Sequence, residues 1–182
     1  MRKPKVDIIE VLPNVILLRF DAPFHLGMSL WRYQEYYESP RFKGKTPSIW
    51  EFSEYYATTD GQGSFSYPSD VDGYNFPYMV VPRVHDLVRA STPYDNFIRP
   101  ILKKLDGKCT YIIGMARDTH YSTLKHEIAH ALWFTNRTYK KEANTLLKTV
   151  PKTTRRAWDL NLAAEEYHEK VFKDETNAYL ST

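Results

Sequence analysis

Residues 121–134 read Tyr121-Ser-Thr-Leu-Lys-His-Glu-Ile-Ala-His-Ala-Leu-Trp-Phe134, and this stretch decides the architecture. Leu124, Ile128, Ala131 and Leu132 recur at three- and four-residue intervals, the period of an amphipathic helix. Within it stand His126 and His130, four residues apart. Side chains at that spacing lie one above the other on a single helix face, so both imidazoles can reach one metal ion. Glu127 is turned by about 100° around the same axis, following 3.6 residues per turn. That direction suits a base acting on water beside the ion rather than a ligand to it. Zinc is the expected ion, because it lowers the pKa of a bound water to ~7 and so makes a nucleophile that a glutamate can deprotonate.

Working outward, the segment just upstream, Thr110-Tyr-Ile-Ile-Gly-Met-Ala116, is the clearest strand of the chain. Downstream the helical period continues, predicting helices at 139–149, 153–166 and 169–180. Towards the N-terminus, residues 6–11 and 15–20 read as two strands about a Pro13-Asn14 turn. Residues 29–37 read as a helix stopped by Ser39-Pro40. Ser48-Ile-Trp-Glu51 is a capping-box pattern that opens a helix to about Thr58. Residues 59–77, punctuated by glycine and proline, read as a long ordered loop or short strands that suit a cleft wall, and residues 78–81 as a short strand. A further helix begins at Thr92-Pro93, kinks at Pro100 and ends at Asp106-Gly107. The expectation is one α+β domain over 1–182, with a strand-containing lobe over 1–120 and a helical lobe over 121–182.

A catalytic zinc takes three protein ligands and keeps one position open. The extended pattern with a third histidine six residues on is absent: Trp133 stands in place of its glycine and Asn136 in place of that histidine. The third ligand therefore comes from later in the chain, among Glu142, Glu165, Glu166, His168, Glu169, Asp174 and Glu175. Helical phase favours Glu175, which falls in the middle of an apolar face made by Val171, Phe172, Ala178 and Tyr179. A carboxylate buried there needs a cation, either a metal or a Lys or Arg. Asp174 lies to the side, placed to brace a histidine. Glu142 is the rival, because a hairpin of the 121–134 and 139–149 helices would return it to the level of His130.

The run from His126 to Asn136, followed by Tyr167-His-Glu169 and Asp174-Glu-Thr-Asn-Ala-Tyr-Leu180, resembles the zincin metallopeptidases. Among them it is most similar to the gluzincins, whose third zinc ligand is a glutamate on a later helix. Together with Arg32-Tyr-Gln-Glu-Tyr-Tyr-Glu-Ser-Pro40, these runs also look like a group of small phage- and virus-encoded proteins of unassigned function that carry the same metal motif. The resemblance implies a zincin-like fold, Zn2+ held by His126, His130 and Glu175, and Glu127 as catalytic base; it also implies that the strand 110–116 lines the cleft and pairs with an extended substrate, the alternative being an internal strand paired on both sides. It also implies a protein or peptide substrate and, for a phage-encoded chain, the host cytoplasm. The interval from His130 to Glu175 is longer than the usual gluzincin gap, so Glu142 stays open as an alternative. His168, Tyr167 and Tyr179 are the candidates for steadying a developing oxyanion. His25, His85 and His120 show no ligand spacing. Cys109 sits in Gly107-Lys-Cys-Thr110, unlike the glycine-flanked cysteine ligand of the peptide deformylases, and reads as a small buried residue. The alternative function is a protein-binding module that keeps zinc as a structural staple.

The bulk composition narrows the field. A net charge of +3 with no block of lysine and arginine gives no reason to expect a nucleic-acid partner, and the basic residues over 140–156 are spread along predicted helix. A single cysteine rules out an internal disulfide and fits a reducing compartment. The basic N-terminus is followed by Asp7, Glu10 and Pro13, which interrupt any signal-peptide core. No run of ~18 apolar residues is present, so no membrane span is expected and a cytoplasmic location is. Fourteen tyrosines and four tryptophans suit either an aromatic core or a binding groove, the core being the simpler reading.

Overall fold

The computed structural model describes residues 3–164 and 169–182. The chain is of mixed α and β structure and divides into two compact units, Met1–Thr119 and His120–Thr182.

The first unit is built on a four-stranded sheet. Strands β1 (Val6–Leu12) and β2 (Val15–Phe20) form the expected antiparallel hairpin. Asn14 makes the turn in the left-handed region at φ 64°, a conformation asparagine tolerates better than most residues. Strand β4 (Tyr111–Ala116) runs parallel to β2 and antiparallel to β3 (Gly73–Pro77), giving the order β1-β2-β4-β3. All six β4 residues are buried, as a strand covered on both faces requires. Both of its edges are paired, so the substrate-pairing role open to it on sequence grounds is corrected: β4 has no free backbone to offer.

Helix α1 (Pro23–Glu38) lies on this sheet and starts six residues earlier than periodicity suggests. Pro23 occupies the first helical position, where its missing N–H is no loss. The close seating of α1 depends on Gly114 of β4, where an added Cβ would lie 2.2 Å from Leu30 Cδ1. Arg32 of α1 is almost fully buried and donates from Nε to Asp95 Oδ1 at 3.0 Å, with further bonds to the carbonyls of Pro47 and Ala90. Asp95 also closes a capping box with Thr92 at the start of α5 (Pro93–Lys103), so one carboxylate ties two helices together. Helix α2 (Ile49–Thr59) carries the expected capping box of Ser48 and Glu51. It brings Phe52 against Trp31 in a stack with centroids 4.5 Å apart and against Tyr67 edge-on at 4.8 Å. Six of the fourteen tyrosines are buried in this unit, where they form part of the core.

One reading fails here and one holds in part. Residues 78–81 are not a strand: Val80 opens helix α4 (Val80–Leu87), with Val80, Val81 and Val84 buried on one side. Within 59–77, where a loop or short strands were expected, the chain forms a short helix α3 (Tyr67–Asp70) and the strand β3.

The second unit is helical throughout its described residues: α6 (Tyr121–Thr135), α7 (Arg137–Thr149), α8 (Lys152–Ala164), a 3-10 turn at Glu169–Val171 and α9 (Phe172–Tyr179). Asn136 ends α6 and caps α7, its side chain accepting from Tyr139 N at 3.0 Å, which explains an asparagine where the longer metal motif has histidine. No helix among the described residues is long and apolar enough to cross a membrane.

Candidate metal centre

Helix α6 is long enough to hold His126, Glu127 and His130 within one regular stretch, and α9 packs against it. Helix α9 is tied in turn to α7 by Tyr139, whose hydroxyl donates to Asn177 Oδ1 at 3.1 Å. The consequence is a convergence of three potential ligands. His126 Nε2 and His130 Nε2 are 3.1 Å apart, and Glu175 Oε2 lies 3.7 Å from the first and 3.6 Å from the second. Around a tetrahedral zinc, ligand atoms at ordinary bond lengths stand roughly 3.3–3.5 Å from one another. The observed separations bracket that value, so the donor set fits a metal ion without rearrangement. These three form the one group with metal-holding geometry among the described residues. Two imidazoles and a carboxylate serve zinc, and they serve iron(II) equally well.

The electrostatics point the same way. Two imidazole nitrogens facing each other beside a carboxylate need a cation or a proton between them. Without a metal, burial works against charge on His130, but the hydrogen bond to Asp174 and the charges of Glu175, Asp174 and Glu127 outweigh it and raise its pKa to about 9. His126 goes the other way, lowered to about 4 by burial and by the neighbouring His130. One proton thus serves both rings. His130 Nδ1 lies 3.0 Å from Asp174 Oδ1, which turns its Nε2 towards His126 and Glu175.

Glu175, expected from the sequence as the third ligand, lies beside the two histidines, but the face that carries it differs from the one read from helical phase. Glu175 is 5% exposed and Ala178 fully buried, yet Thr176 and Asn177 are buried as well, while Tyr179 is 48% exposed. Tyr179 is not an inward anchor; its ring stands edge-on to His126 with centroids 4.8 Å apart. Glu142 is exposed on α7 and Glu169 on the 3-10 turn, and neither joins the cluster. Glu165, Glu166, Tyr167 and His168 lie outside the described residues. Asn177 was missed by sequence reasoning; nothing in its spacing distinguishes it from a surface amide.

The other described histidines have local partners: His25 Nδ1 is 2.7 Å from Asp21 Oδ1, His85 Nε2 is 2.9 Å from the Tyr33 hydroxyl, and His120 caps its own helix at Ser122 N. Cys109 is buried, with its thiol pushed up to about 11 by burial, which suits the packing role read from sequence. In comparisons with known proteins, no family model, no curated protein and no solved structure matches the chain.

Proposed function

We propose that the chain is a zinc-dependent hydrolase of the zincin type that cleaves a peptide bond in a protein or peptide. The observation that carries this reading is the convergence of His126, His130 and Glu175, with Glu127 next to the first ligand on the same helix. His126, His130 and Glu175 would hold the ion, three protein ligands being the number that catalytic zinc sites use. Zinc in this site supplies Lewis acidity and a water of near-neutral pKa. Glu127, buried and close enough for its charge to act on His130, takes the proton of the attacking water and returns it to the departing amine. Asp174 keeps the His130 ring oriented. Tyr179, half-exposed beside His126, is the residue placed to meet the developing oxyanion.

One observation favours a second reading, a structural staple. Few apolar side chains are buried in the helical unit, and a metal joining α6 to α9 would supply order that the core does not. Glu127→Gln separates the two. It is nearly isosteric, so metal content and melting temperature should match the unaltered chain, while hydrolysis of substrates found in an unbiased peptide library should disappear. Equal turnover by both proteins removes Glu127 as the base. Bound metal with no turnover by either leaves the staple.

A further inference from the structure

Helix α9 presents Glu175 to the two histidines, but its Lys173 and Thr176 line a different feature, a cleft of about 180 Å³ among α7, α8 and α9. Lys148 of α7 and Arg155 of α8 line the same cleft, so three cations face one carboxylate, Asp159. Among the described residues none of the three cations forms an ion pair or a side-chain hydrogen bond, although Asp159 is near. The Arg155 Nε is out of reach of water and has no acceptor. Gathering like charges raises the energy of the unit, and a buried N–H without an acceptor raises it further. An anion in the cleft would relieve the gathered charge.

The balance of charge narrows the anion. Three cations against one carboxylate leave two positive charges, which a single carboxylate half matches. A phosphate monoester, carrying about −1.5 to −2 at pH 7, matches them. Its oxygens suit the guanidinium fork of Arg155, with the lysines acting as mobile point charges. Trp158 and Leu147 also line the cleft, so the phosphate is carried on an organic group rather than free. We infer that the cleft among α7, α8 and α9 binds an organic phosphate monoester through Lys148, Arg155 and Lys173. The inference stands independently of the metal reading.

The test is a titration of the full-length, 15N-labelled chain with two probes, inorganic phosphate and phenyl phosphate, followed by amide and indole resonances. Saturable shifts should concentrate on Lys148, Arg155 and the Trp158 indole, with phenyl phosphate the tighter probe. Affinity should fall about tenfold or more in Arg155→Gln, consistent with loss of a charge-assisted hydrogen bond, and clearly in Lys148→Gln. Lys148 is exposed, so that variant tests the site even if Arg155→Gln disturbs the fold. Lys141→Gln, on α7 but outside the cleft, should bind as the unaltered chain does. Shifts that do not saturate, or equal weakening in Lys141→Gln, overturn the site. Equal affinity for the two probes overturns the assignment of an organic phosphate.

Discussion

The two units are ordered by different means. In the sheet-bearing unit, Trp31, Tyr33, Phe52, Tyr74 and Phe76 are at most 1% exposed and interlock with the apolar strands, and the deeply buried ion pair of Arg32 with Asp95 is bidentate at Arg32 Nε. Dense apolar packing of this kind is self-sufficient. The helical unit has only Ala129, Ala131, Trp133, Leu162 and Ala178 as buried hydrophobics among its described residues, and α7 has no buried residue at all. Its buried positions are as often polar: Glu127, His130, Glu175, Thr176 and Asn177. Buried charges of this sort cost stability unless something pairs them. In the first unit burial makes the fold; in the second, on the proposed reading, an ion at the site would hold the helices together.

The strongest test removes the ion. Purified protein should hold about one zinc per chain, and His126→Ala or His130→Ala should abolish that binding. Because metal binding is linked to folding, hydrogen exchange should then rise by orders of magnitude in α6 and α9 while the β2–β4 amides stay protected. Loss of protection in the sheet to the same degree would break the comparison. An absence of metal in protein refolded with zinc supplied would remove the proposal itself.

Next in size is the third ligand. Glu175→Ala should weaken zinc affinity by orders of magnitude, since it removes a ligand and leaves two imidazoles. Glu142→Ala, on an exposed face of α7, should bind as before. A competitive chelator titration reads both, and the reverse ranking would mean that α9 is braced for packing alone.

How much of this was legible follows from which forces leave a local trace. The His126–His130 pair is a spacing within one helix, so it could be read directly, and the capping box at Ser48 likewise. Glu175 could be chosen because a carboxylate among apolar neighbours asks for a cation. Its companions were misread because helical phase says which residues share a face, not which neighbour covers it; Tyr179 lies beside His126 yet half in water. Helix α4 was lost to Val80 and Val81, whose β-branched side chains suggest a strand. Pro82 in its first turn, where an unbonded N–H is normal, was the overlooked helix signal. Strand β3 ends in Pro77 at the sheet edge, a position proline tolerates but that a local reading takes for a loop. The Arg32–Asp95 pair spans 63 residues and has no local signature.

A smaller effect sharpens the comparison. Asp174 touches no ligand position itself; it turns His130 through Nδ1. Asp174→Asn keeps the size and a hydrogen-bonding group but removes the charge. Zinc affinity should fall by about 10–100-fold, the range found for residues that orient a metal-binding histidine. A fall as deep as that of Glu175→Ala would make Asp174 a ligand.

The last effect is one of pH, and its sign differs with and without metal. In the metal-free chain the His130 pKa is raised to about 9 from an ordinary value of 6.5. A raised pKa means that the folded state holds the proton more tightly than the unfolded state does. Its stabilisation is therefore fully present below pH 6.5 and is lost as the pH climbs through about 9. Metal binding must displace that same proton, so zinc affinity should rise about tenfold per pH unit across this window. His126, lowered to about 4, is already neutral there and adds nothing to the slope. Protection of α6 and α9 should thus fall with rising pH in chelator and be retained in zinc. In Asp174→Asn both slopes should flatten, because the hydrogen bond that most favours the charged His130 is weakened. Metal-free α6 and α9 that grow more protected towards pH 9 would show that the proton is not what takes the place of the cation.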